Sequence, residues 1–182
     1  AQRNRRTLYA ERIRTLSDPM LEVFNKPGPD VSCERRDTAT IAPQAFTLMN
    51  SPINHARALS FAARLEKEKP GNLNLQIVRA FQLAYQRQPT VDEMKVCDAH
   101  IAKALAHHRA NEPVKVEPPK YVIRQMVEEM TGLDFWWVED LDIYSGNEYV
   151  PDLKPWDAKP HTRALAELCL VLFNSNEFVY IY

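Results

Sequence analysis

Arginines crowd the start of the chain. Arg3, Arg5, Arg6, Arg12 and Arg14 stand against one acid, Glu11, in the first fourteen residues. Guanidinium forks match the oxygens of phosphates and carboxylates, so this cluster suits a bound anion or an acidic neighbouring surface. A stretch of opposite sign lies far along the chain. Residues 134–157 hold seven acids (Asp134, Glu139, Asp140, Asp142, Glu148, Asp152, Asp157) and one base, Lys154, a net charge of −6. Pairing of the arginines with such carboxylates, within one chain or between two, is the expected use of both stretches.

Cys33 is followed closely by Arg35 and Arg36, cations that favour a nucleophilic thiolate. A catalytic cysteine also needs a base, and His55, His100, His107, His108 and His161 are all distant in sequence, so an inert thiol is expected. The three cysteines stand 64 and 72 residues apart, with no C-x-x-C and no haem-attachment C-x-x-C-H. Neither a zinc site nor a disulfide framework is expected from them. His107 and His108 are adjacent, hence about 100° apart on a helix, and do not make a chelating pair. Asp140-x-Asp142 with Gly146 only faintly resembles a calcium loop, because the glycine falls one place late and Tyr144 stands where an oxygen ligand is needed. Trp136, Trp137 and Trp156, with Tyr144 and Tyr149, offer rings that stack on a sugar; the commoner use of such rings is to seal a cluster or an interface. The surrounding negative charge argues against nucleic-acid stacking.

These groups sit in a chain of 182 residues with 23 basic and 24 acidic side chains, 45% hydrophobic residues and a net charge of −1. That is enough apolar material for one domain with a core, and too little basic excess for a nucleic-acid binder recognised by global charge. The longest apolar run, Leu168 to Phe173, is too short to cross a membrane. Four glycines against thirteen prolines argue against a turn-rich β-sandwich, and no phosphate-cradling glycine motif occurs. The chain opens on Ala1 without a signal-peptide pattern, which reads as a processed product or an excised piece.

The elements that must position these residues read as helices. Asp18-Pro19 opens a short one through Phe24, and Thr40 is placed to cap another from about Ala42 to Met49. Pro52 to about Glu68 carries Ile53, Ala56, Leu59 and Ala63 on one stripe. Leu75 to Tyr85 follows with Ile77, Val78, Phe81, Ala84 and Tyr85. Thr90 and Glu93 have the spacing of a capping box at the head of a helix to about His108, with Met94, Cys97, Ile101 and Leu105 as its apolar face. Residues 111–120 read as an extended linker. Val122, Ile123, Met126, Val127 and Met130 then suggest one more amphipathic helix, and 135–156 an aromatic insertion with one or two short strands. His161 to Phe173, apolar on most sides at Leu165, Leu168, Cys169 and Leu172, is expected to be buried, with Cys97 and Cys169 in the core.

Three stretches also carry a resemblance. Arg5-Arg6-Thr7-Leu8-Tyr9, Val23-Phe24-Asn25-Lys26-Pro27 and the run from Ser32-Cys33-Glu34-Arg35-Arg36-Asp37-Thr38 through Pro43-Gln44-Ala45-Phe46 to Asn50-Ser51-Pro52 form the first. Arg79 to Glu93 and the ending Leu170-Val171-Leu172-Phe173-Asn174-Ser175-Asn176-Glu177-Phe178 form the others. Through them the chain resembles the planctomycete-specific C-terminal domain of unknown function. The resemblance implies a place in a large exported, extracytoplasmic protein that often carries a cytochrome-c-like haem domain, although no haem sequence lies in this chain. It brings no catalytic residues. The residues that match its motif, Arg6, Tyr9, Arg36, Thr38, Gln44 and Asn50, either organise a pocket or satisfy buried backbone groups.

The expected architecture is therefore one mainly α-helical, bundle-like domain over 1–182, with a small aromatic, β-containing insertion near 135–156. Its parts are an N-terminal arm and signature motif (1–50), a helical core (51–110), a linker with the acidic insertion (111–160) and a C-terminal core helix (161–182). The expected role is a structural or interaction module whose partner is the remainder of a parent protein or another chain, with no cofactor or metal of its own, no nucleic acid and no membrane span. An enzyme would instead draw a pocket from Arg6, Tyr9, Cys33, Arg36, Thr38, Gln44 and Asn50, with Cys33 or His55 reacting. A carbohydrate-binding module would use Trp136, Trp137 and Trp156.

Overall fold

The structure is a computed structural model, and it describes residues 9, 19–28, 33–35, 42–117, 119–141 and 152–180. Among them are seven α-helices: α1 (Pro19–Val23), α2 (Ala42–Asn50), α3 (Pro52–Glu68), α4 (Leu73–Tyr85), α5 (Val91–Ala110), α6 (Pro160–Phe173) and α7 (Asn176–Val179). Two strands, β1 (Tyr121–Val127) and β2 (Asp134–Asp140), lie between α5 and α6, and a 3-10 turn covers Pro155–Asp157. The fold is mainly α with a small β insertion, as the sequence implies. Thr40 and Asp18, the expected caps, lie outside the described residues.

Helix α6 is the centre of the core. It packs against α3 and α5 most extensively, and α4 completes the layer. Its buried residues, Ala164, Leu165, Leu168, Cys169, Leu170 and Leu172, cover most of its circumference, so it has no broad solvent face. Burial pushes the Cys97 thiol up to about 11 and that of Cys169 higher still, as befits core cysteines. The apolar stripe of α3 differs from the one expected. Asn54, Ala58, Leu59, Ala62 and Leu65 face inward, while Ile53 is exposed. Two causes are visible: Ala58 and Ala62 let the α6 backbone come close, and Asn54 turns inward to donate from Nδ2 to the Leu48 carbonyl at 2.8 Å.

Two buried polar side chains of this core, Gln76 and Thr162, have partners. Gln76 is fully buried, yet its Nε2 donates to the Lys69 carbonyl at 2.9 Å and its Oε1 accepts from His161 Nε2 at 2.9 Å. Thr162, also buried, donates to Glu66 at 2.6 Å. The capping box at α5 is present: Glu93 N–H donates to Thr90 Oγ1 at 3.3 Å, and Thr90 N–H donates to Glu93 Oε2 at 2.7 Å.

The largest departure is at 121–130, where the expected amphipathic helix is a strand. Residues 121–127 pair antiparallel with 134–140, with Ile123 opposite Val138 and Gln125 opposite Trp136. Val122, Ile123 and Val127 are β-branched, Ile123 has Val138 as its cross-strand partner, and the aromatic run Phe135-Trp136-Trp137 stands opposite Met126, Gln125 and Arg124. Glu128 fixes the turn: its carboxylate accepts from the N–H groups of Met130 and Thr131 and from the Thr131 hydroxyl. Those bonds, the Thr131 hydroxyl foremost, hold the Glu128 carboxyl below its usual range. Gly132 closes the turn at φ +69°, a conformation that costs a side-chain-bearing residue energy.

Candidate functional site

The signature residues are scattered in what they do. Arg6, Arg36 and Thr38 lie outside the described residues, as do the other arginines of the first fourteen positions and the calcium-like positions Asp142, Tyr144 and Gly146. Tyr9 is exposed, and Asn50, the last residue of α2, is exposed too. Cys33 is exposed, its thiol donating to the Arg35 carbonyl at 3.0 Å. Gln44 on α2 donates from Nε2 to the Val23 carbonyl at 3.0 Å, tying α2 to α1. The His55 Nε2 lies 2.8 Å from the Met49 carbonyl oxygen. A carbonyl only accepts, so that nitrogen carries the proton and covers one of the orphan acceptors at the end of α2. Gln44 and His55 thus serve main-chain carbonyls. Among the described residues, no group of three or more His, Cys, Asp or Glu is arranged to hold a metal ion.

Two of the motif stretches meet in space. Arg87, after α4, donates from Nε and Nη2 to both oxygens of Glu177 at 2.7 and 2.8 Å, and from Nη1 and Nη2 to both oxygens of Glu93 at 2.8 and 2.7 Å. Its guanidinium also lies 5.4 Å from the Phe81 and Tyr85 ring centres. Tyr85 donates to Ser175 Oγ at 2.7 Å. The Arg87 fork holds the Glu93 carboxyl down at about 2 and lowers that of Glu177. This clamp joins the end of α4, the start of α5 and α7, and every group in it has a partner.

A cleft of about 510 Å³ opens between α3, α6, the last turns of α5 and the segment 153–156. Its body is apolar, with Leu59, Leu153, Trp156 and Leu170 among its walls, and its polar lining is His55, His108, Lys154, Arg163 and Glu167. His108 Nε2 lies 2.8 Å from one Glu167 oxygen, though not aligned as a hydrogen bond, and His100 Nε2 lies 4.0 Å from the other. Arg163 is only 7% exposed. Its Nη1 donates to the Pro155 and Ala158 carbonyls at 3.2 and 2.9 Å and its Nη2 to the His108 carbonyl at 3.0 Å. Among the described residues the Arg163 Nε–H, itself enclosed, has no acceptor. Sequence reasoning passed over Arg163, although a permanent cation in a helix that reads as apolar on most sides was the available signal.

The ribbon of β1 and β2 is built differently from everything else. Opposed residues share a face, and residues alternate along each strand, so Tyr121, Ile123, Val127, Trp136 and Val138 lie on one face and Val122, Met126, Phe135 and Trp137 on the other. Both faces are open: Trp136 is 63% exposed on one and Met126 53% on the other, and no described helix makes more than marginal contact with the ribbon. Phe135 and Trp137 stack at 5.6 Å, and Arg124 pairs with Glu139 across the strands. From 121 to 141 there are five acids and one base, a net charge of −4. Trp136 and Trp137 point to opposite faces while Trp156 lines the cleft, so the three tryptophans do not share one stacking row.

A protein-family model described as "PSD1: Protein of unknown function (DUF1553)" matches residues 1–101. No curated protein and no solved structure matches the chain significantly.

Proposed function

The chain belongs to the PSD1 family of unknown function (DUF1553), and on that premise we propose that it is a structural and interaction module of a larger extracytoplasmic protein. Its contact is made through the ribbon of β1 and β2, and its partner is a basic, extended polypeptide segment. The helical core supplies a rigid base, and no cofactor of its own is invoked.

The ribbon's two open apolar faces carry this reading. A two-stranded hairpin alone is marginally stable in water, and a long apolar edge strand invites pairing. A third strand laid along either edge would use its free main-chain groups and cover the aromatic rows. The net charge of −4 selects a basic occupant, and acids at both ends of β2, Asp134 and Asp140, oppose antiparallel pairing of β2 with its own copy. Gln44 and His55, both occupied by main-chain carbonyls, favour a structural over a catalytic use of those residues.

The test is tryptophan emission of the full chain carrying Trp156→Phe, so that Trp136 and Trp137 report alone. The probes are a peptide of alternating Arg and Val, the same peptide with Glu for Arg, and cellohexaose. The expected result is a saturable blue shift with the basic peptide that weakens as salt rises, and none with the acidic one. No response to the basic peptide, or a response to cellohexaose alone, overturns the proposal; the latter restores the sugar reading.

A further inference from the structure

We infer that the cleft between α3 and α6 is a binding site for a small aromatic or aliphatic carboxylic acid, its carboxylate at the buried Arg163 and its apolar body against Trp156, Leu59 and Leu170. This goes beyond the ribbon reading and does not rest on it.

The case begins with Arg163. A guanidinium buried this deeply is costly unless an anion or a full set of acceptors surrounds it. Arg163 has three carbonyls on its two terminal nitrogens, no carboxylate partner among the described residues, and an Nε–H without an acceptor. Its Nε is itself enclosed, but Arg163 is one of the residues that line the cleft, and its charge there has no counter-ion among the described residues. Charge in the lining points the same way, because Arg163 and Lys154 outnumber Glu167, and His55 and His108 add no negative charge. Lys154 is exposed, where it would steer an anion to the mouth. The body of the cleft is aliphatic and aromatic, and its 510 Å³ is in the range of a small-molecule site. An inorganic anion would leave those apolar walls wet; an alcohol would accept a hydrogen bond but bring no counter-charge to the guanidinium. A carboxylate on an apolar body meets both demands.

Among the described residues no Ser, Thr or Cys lines the cleft, and the inference is of binding alone. His108 and Glu167, whose Nε2 and carboxylate oxygen lie 2.8 Å apart, border it where α5 meets α6.

The experiment titrates the 15N-labelled full chain with 3-phenylpropionate and, separately, with 3-phenylpropanol, its uncharged counterpart. Arginine Nε–H resonances are observable directly, so Arg163 reports on an anion placed beside its guanidinium. The expected result is saturable binding of the acid about tenfold tighter than the alcohol, with the Arg163 Nε–H signal shifted and slowed in exchange with water. Arg163→Gln should abolish that preference. Should that variant not fold, Lys154→Glu, at an exposed position, should weaken the acid severalfold and leave the alcohol unchanged, and Trp156→Leu should weaken both. Equal binding of acid and alcohol, an unmoved Arg163 Nε–H at saturation, or no binding of the acid overturns the inference.

Discussion

The helical core and the ribbon follow opposite rules for apolar surface. In the core, α6 is covered on most of its circumference by α3, α4 and α5, and even Gln76 and Thr162 have partners. In the ribbon, eight apolar side chains of two short strands are exposed, on both faces. The difference teaches where each region's stability comes from. The core holds itself by burial, which is proportional to the area removed from water. The ribbon has only its ladder, its turn and pairs such as Phe135–Trp137, too little to make a hairpin firm alone. Apolar surface gathered on both faces of one short ribbon is what the proposed contact would cover.

Substitutions should separate the two regions sharply. Leu165→Ala removes a fully buried side chain at the centre of α6. It should cost about 2–5 kcal/mol in urea unfolding, whereas Trp136→Ser should stay within about 0.5 kcal/mol. Similar losses for both would mean that the ribbon is integral to the core. A smaller effect belongs to the Arg87 clamp. Arg87→Met should cost about 1 kcal/mol, an amount limited by the partial exposure of the pair. A change in the unfolding midpoint no greater than that of the Lys95→Met surface control would remove the clamp from the account.

The clamp also makes a statement about acid. Glu93 has its carboxyl lowered to about 2, so between there and its usual range near 4.5 the unfolded chain binds the extra proton. Stability from the clamp is complete above that range and drains away as pH falls toward 2. Glu177 is shifted in the same direction by the same arginine. Urea midpoints should therefore fall between pH 5 and pH 3 (about the titration range of carboxylates) more steeply in the native chain than in Arg87→Met. Parallel slopes would contradict the assignment.

What the sequence made legible follows the physics of signals. Helices α3, α5 and α6 were readable because Pro52, the Thr90–Glu93 box and the run through Leu172 mark ends and faces locally. The face of α3 was less readable: Asn54 is inside because Leu48 offers it a carbonyl, a fact of tertiary structure. Strand β1 was misread because a strand with two apolar faces has no alternation, and Val122, Ile123, Met126 and Val127 then fit a helical spacing equally well. The cleft gathers residues from 52 to 170, and no local pattern announces such a meeting. Of the signature residues, Gln44 shows its use in the fold, whereas Arg6, Arg36 and Thr38 lie beyond the described residues.

Native-state hydrogen exchange on the full chain tests the division between core and ribbon most directly. Amides in the middle of α3, α5 and α6, such as that of Leu165, should exchange only through global unfolding, with a strong dependence on urea. Ladder amides of β1 and β2 should exchange orders of magnitude faster, with little dependence on urea, and slow when the basic peptide is added. Ribbon amides as protected as Leu165 in the free chain would contradict the claim that the core closes on itself and leaves the ribbon open.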